Sequence, residues 1–140
     1  MGLEERRMVK ITDDMKKFID TRKISYVATV GKKGLPNVSP KGPLRVIDDK
    51  TLAFADLFSK KTRDNLAENP QIAVSVVDEE KKEGFQFRGK AVVHTSGPLF
   101  VKISNDISKP YTKRPVVQSV VEIKVKEIHD LAPPGEYYLE

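Results

Sequence analysis

The residues best placed to do chemistry in this sequence are Ser59, Lys60, Lys61 and Thr62. They stand inside Leu52–Pro70, LAFADLFSKKTRDNLAENP, which is expected to form a strand over Leu52–Asp56, a turn over Leu57–Ser59 and a helix to about Glu68. Ser59 is a good N-cap type. Pro70 lacks an amide hydrogen and restricts Asn69, so the helix ends there. Asp64 and Asn65 are not expected to reach a core. A helix N-terminus already carries unpaired amide hydrogens and a partial positive charge, so two lysines in its first turn oppose the local field. A bound phosphate relieves that conflict, and the Thr62 hydroxyl adds a donor. The bland alternative is that two lysines of a basic chain are solvated surface.

Composition limits what such a site can be. A chain of 140 residues suggests one domain, 1–140, able to bury about two-thirds of its unfolded surface without staples. There are no cysteines, which removes disulfides, thiolate nucleophiles, iron–sulfur clusters and cysteine zinc sites together. The two histidines, His94 at a strand end and His129 near the C-terminus, show no carboxylate–histidine set, so no metal is expected. The net charge of +5 favours anionic partners but is spread along the chain. No apolar run approaches the ~18 residues of a membrane span, and the N-terminus lacks a signal-peptide core. A soluble, cytoplasmic protein with no membrane partner is the expectation.

The elements that must position the lysines read as follows. Thr12 before Asp13 and Asp14 is a helix N-cap, and Met15, Phe18 and Ile19 make a short amphipathic helix, a lid on the core. Ile24–Val30 is strand-like, and Gly31–Gly34 (GKKG) is a turn whose glycines permit positive φ. Asn37–Lys41 pairs back, Gly42-Pro43 interrupts it, and Leu44–Ile47 resumes the same strand before Thr51–Asp56. Gln71–Val77 and Phe85–His94 are further strands, with Phe85 and Phe87 on one face. Ser96-Gly97-Pro98 opens a second short helix, Ser108–Pro115 is a loop, and Val116–Val125 is a long strand. Residues 1–10 and 133–140, the latter with Tyr137 and Tyr138, are expected to be loose or packed on a neighbour. Some six short strands with a few short helices indicate a mainly β protein, an antiparallel barrel without exposed edges.

Taken in order, YVATVGKKGLPNVSPKG (Tyr26–Gly42), TLAFADLFSKKTRDNLAENP (Thr51–Pro70), FQFRGKA (Phe85–Ala91), HTSGP (His94–Pro98) and VVEIKVKEI (Val120–Ile128) resemble the FMN-binding split-barrel family related to pyridoxamine 5'-phosphate oxidase, in its short stand-alone form. The resemblance covers roughly residues 12 to 132. It implies a six-stranded antiparallel split barrel of Greek-key type and a homodimer with FMN in the cleft between subunits. Residue by residue, it places the phosphate-holding basic pair on Lys60 and Lys61 with the hydroxyl of Thr62. Ser39, Pro40, Lys41 and Gly42 match the strand laid along the flavin, and Ala55 and Asp56 match cofactor-facing positions. Lys41 is then the cation near N1 and O2 that stabilises the reduced ring. The competing explanation for Ser39–Gly42 is an ordinary strand break, and for Asp56 a turn carboxylate.

The departures bear on function. Ser39 stands where the larger oxidase has an arginine, and His129-Asp130 does not reproduce its C-terminal arginine-and-histidine segment. The resemblance therefore implies an FMN-dependent oxidoreductase of unknown substrate and argues against vitamin B6 oxidation; no catalytic acid or base is assigned. The alternatives are an FMN electron carrier or store, a deazaflavin-binding reductase, and a basic nucleic-acid-binding barrel. The last is disfavoured, since base stacking needs exposed aromatics interleaved with cations, whereas Phe85 and Phe87 share a strand face expected in the core.

Overall fold

The computed structural model describes residues 9–57, 59–108 and 117–131. Of the tails expected at 1–10 and 133–140, residues 1–8 and 133–140 lie outside the described residues, as does most of the Ser108–Pro115 loop, while Val9 packs against the core.

Thr12 begins α1 (Asp13–Asp20) as the cap pattern requires, its Oγ1 accepting the Met15 amide at 3.2 Å. Ile19 is fully buried, Met15 and Phe18 pack on the core, and Phe18 meets Phe85 edge-on with ring centroids 5.4 Å apart. Lys16 pairs with Asp49, and the Ile11 amide donates to the Asp49 carbonyl, so α1 is fastened over the sheet as a lid. Removing the cap with Thr12→Ala should cost about 1 kcal/mol in urea unfolding.

The strands are β1 (Ser25–Val30), β2 (Pro36–Lys41), β3 (Arg45–Asp48), β4 (Thr51–Asp56), β5 (Gln71–Asp78), β6 (Glu83–His94) and β7 (Ser119–Asp130). Two more helices, α2 (Lys60–Glu68) and α3 (Pro98–Ser108), follow β4 and β6. Every strand pair is antiparallel, in the order β2-β1-β5-β6-β7-β4-β3. The sheet thus has seven strands where six were expected, and its hydrogen bonding does not close. Gly42-Pro43 is the reason. It does not merely interrupt one strand: β2 pairs with β1 at one edge, while β3 pairs with β4 at the other. Four steps of chain from Lys41 to Arg45 span at most roughly 14 Å. The two edges must therefore lie near each other, and the sheet is curled toward a split barrel.

The inside of the curl is filled by Val27, Leu52, Phe54, Val74, Phe87 and Ile123, all with no exposed surface. Phe87 and its neighbour Phe85 are thus core groups. A smaller cluster packs Ile103 of α3 against Ala53 of β4 and Val120 of β7. In the GKKG turn only Gly34 uses positive φ, at 77°. Gly31 is needed for a different reason: a Cβ there would sit 2.7 Å from Asn65 Oδ1. β7 starts later and runs longer than its apolar alternation suggested, because β6 pairs with it as far as Asp130 opposite Phe85. Among the described residues no helix is long and apolar enough to cross a membrane.

Candidate functional site

The strand-to-helix junction forms where the sequence placed it. β4 ends at Asp56 and α2 starts at Lys60, with Ser59 as N-cap. The Ser59 hydroxyl does not cap the helix; instead the Ser59 amide donates to Asp56 Oδ1 at 3.0 Å. The first turn holds no acidic residue, so the amides at its start and the two lysines add positive potential at one point. Lys60 is tied to Asp64 at 2.7 Å one turn on, and both side chains are largely exposed. Lys61 is exposed and has no ion-pair partner among the described residues. Of the two lysines, Lys61 is the one without a direct ion pair, acting on Asp64 only at longer range.

Thr62 is fully buried, and its hydroxyl lies 3.3 Å from Ser39 Oγ on β2. On the same side of β2, Lys41 Nζ reaches Asp56 Oδ1 at 3.6 Å, with side chains only 6% and 5% exposed. These contacts join β2 to β4 and α2 across the open side of the sheet. Burial pushes the Lys41 ammonium below its ordinary pKa, and the Asp56 carboxylate opposes that shift in part. Asp56 therefore serves as the turn carboxylate and as the counter-ion of Lys41 at once.

Ser39, Lys41, Asp56 and Thr62 are brought together. Others of the nine candidates are not. Pro40 alternates outward between Ser39 and Lys41, and Gly42 is exposed, its carbonyl accepting from Ser25 Oγ at 3.1 Å. Ala55 packs with the α3 cluster, on the face of β4 opposite Asp56. Asn65 was expected outside the core, yet it is buried, donating to Thr29 Oγ1 at 3.0 Å. Its amide satisfies a strand hydroxyl, and so α2 is held against β1. Gln118 also escaped notice: its amide donates to the Asp56 carbonyl at 3.0 Å, and its side chain accepts from Arg63 at 2.9 Å. Nothing in its flanking residues signals that contact. The histidines sit elsewhere, His94 with Glu122 at 2.7 Å and His129 with Glu127 at 3.0 Å.

The profile of the pyridoxamine 5'-phosphate oxidase family matches residues 11–132, nearly the whole described chain. The chain belongs to this family. An uncharacterised protein of Methanocaldococcus jannaschii is 31% identical over 126 residues, 89% of this chain and 83% of its own length. The crystal structure of HupZ from Group A Streptococcus superposes with a TM-score of 0.78 at 32% identity, covering 88% of this chain and 95% of HupZ. An FMN-binding protein from Syntrophomonas wolfei shares the fold at 18% identity, TM-score 0.73, covering 94% of this chain and 90% of its own. So does HutZ, a heme storage protein of Vibrio cholerae, at 18% identity and TM-score 0.63, covering 86% and 94%. At that identity the fold does not choose the cofactor, and the family assignment leaves the choice to the residues at the junction.

Proposed function

We propose that this chain is an FMN-binding flavoprotein that works as a homodimer and carries out oxidoreduction through the flavin. The observation that carries it is the convergence of Ser39, Lys41, Asp56 and Thr62 beside an α2 N-terminus whose first turn is basic and free of acids. The lysines and first-turn amides there fit a phosphate-bearing ligand, the Asp56 carboxylate being already engaged by Lys41 and the Ser59 amide. Lys61 and Lys60 hold the phosphate, and the amides of the first turn donate to it. The half-buried Ser39–Thr62 contact fixes the strand that the isoalloxazine would lie along. Lys41 is a positioning residue here more than a bare cation, because Asp56 cancels most of its field at any distance beyond the pair. FMN supplies the electron chemistry when bound, and the protein supplies binding, orientation and electrostatics.

An exposed apolar strip supports the dimer. Tyr26 lies opposite Pro40 and Ala28 opposite Val38 on the outer face of β1 and β2, with Val38 66% exposed and Leu35 68%. A strip of that kind on an edge strand calls for a cover, and a second copy places its own residues next to the junction. Val38→Glu leaves the core untouched and should give a monomer that has lost most of its FMN affinity. A monomer binding FMN as tightly as the native protein would refute the shared site. An electron carrier or store is the second reading, favoured by the absence of any histidine from the Ser39–Thr62 cluster. Steady reoxidation of the reduced protein by small molecules favours an enzyme; reoxidation by another protein alone favours the carrier.

A further inference from the structure

α2 is docked unlike the other two helices. α1 seats Ile19, Met15 and Phe18 on the core, and α3 seats Ile103, Leu99 and Phe100 on the smaller cluster. Of the nine residues of α2, those buried are Thr62, Asn65 and Leu66, so one apolar side chain anchors it. Hydrogen bonds make the rest of the contact. Thr62 Oγ1 lies 3.3 Å from Ser39 Oγ, Asn65 Nδ2 donates to Thr29 Oγ1 at 3.0 Å, and Arg63 Nη1 donates to Gln118 Oε1 at 2.9 Å. Each exchanges for a bond to water when the helix leaves, so each holds it only weakly.

The helix does not hold itself either. Nine residues are too few to be stable alone in water. The Ser59 hydroxyl makes no cap, the first turn has no acid, and Lys60 and Lys61 stand at the positive end of the dipole. A bound anion supplies what is missing, since it accepts the free amides and balances the cations. The sheet beneath needs no such help, because β1 is paired on both sides and its Val27 is fully buried.

We propose that in the ligand-free protein α2 detaches and redocks as a unit while the sheet stays folded, and that a phosphate-bearing ligand locks it down. The lock rests on the assignment of the phosphate to Lys60 and Lys61; the detachment does not. Lysines and amides converge only while the helix is formed and docked, so the phosphate binds that state more tightly, as any ligand-driven shift of population requires. Affinity for a phosphorylated flavin is lowered by the undocked fraction, and a flavin without phosphate gains nothing from docking.

The test is native-state amide hydrogen exchange, read by NMR in the flavin-free protein over a range of low urea. The probes in α2 are Leu66, Ala67 and Asn69, whose amide closes the last turn on the Asn65 carbonyl. They should exchange together, at least about a hundredfold faster than Val74 and Phe87 and almost independently of urea, because a local opening exposes little surface. Val76→Ala, a truncation in the core opposite Phe85, should speed the sheet amides about tenfold or more and leave α2 unchanged. Saturating FMN should slow the α2 amides at least about tenfold, and riboflavin should not. Lys61→Glu puts an acid in the first turn, so α2 exchange should slow several-fold without ligand while the FMN effect is lost. Amides of α2 that exchange only with the sheet, at its rate and with its urea dependence, would overturn the detachment, and this comparison decides alone should Val76→Ala fail to fold. FMN that binds without slowing α2, or riboflavin that slows it equally, would overturn the lock and leave FMN binding standing. If FMN does not bind at all, the lock falls together with the flavin reading, and the urea dependence still decides the detachment.

Discussion

Lys41→Met should destabilise the protein by about 3 kcal/mol, far more than an exposed lysine is worth, because it leaves the Asp56 carboxylate buried without its counter-ion. The double variant Lys41→Met with Asp56→Asn should recover most of that loss. Asparagine keeps a carbonyl oxygen to accept the Ser59 amide, and the amide group carries no charge to strand. Urea unfolding of the four proteins measures the coupling. The alkaline limb of stability supplies an independent check. The Lys41 pKa in the folded state lies below its ordinary value of 10.5, mainly through burial. The unfolded chain therefore binds more protons between the lowered value and 10.5, and stability should rise with pH across that window. What Lys41 contributes there is fully present above 10.5 and lost as pH falls through the folded-state value. The rise should vanish in Lys41→Met. Additive single-variant losses, or the same alkaline limb without Lys41, would show that the pair is not coupled as described.

Much of the junction was legible before any coordinates. A strand rich in Leu, Ala and Phe, a short turn, an N-cap type and an Asn-Pro stop bound β4 and α2 correctly. The site residues on β2 came from the family resemblance as one run, Ser39–Gly42, and it is the alternation of the strand in the structure that sends Ser39 and Lys41 to one side and Pro40 to the other. What could not be read is long-range. Gly42-Pro43 looked like a pause within one strand, because local signals report a break but not where the chain goes next. The six-strand count failed there, when the chain crossed to the opposite edge. Asn65 was misjudged for a related reason. An amide is polar by type, and only its proximity to Thr29, 36 residues away in sequence, and to Gly31 makes burial favourable. Ala55 faces α3 because β4 is covered on both faces, a property of the tertiary fold.

The second large effect is expected on ligand selectivity. Lys61→Ala should weaken FMN binding by about 2 kcal/mol, the scale of a hydrogen bond to a charged group, and leave riboflavin binding unchanged. Lys60→Ala should cost less, since Lys60 is paired with Asp64 before any ligand arrives and part of its charge is already spent on that carboxylate. Replacing both should exceed the larger single effect. Fluorescence titration of FMN and riboflavin against each variant, at one fixed salt concentration, separates the phosphate from the ring. An equal loss for both flavins would mean that the lysines act through the fold and not on the phosphate.

The most direct test of the account is a spectral titration of the native protein with FMN, with the mass in solution taken on the same sample. Shifted visible flavin bands, saturating at one FMN per chain in a dimer, are the expected result. A protein that leaves the FMN spectrum unchanged, while a deazaflavin or haem binds or no cofactor does, would contradict it.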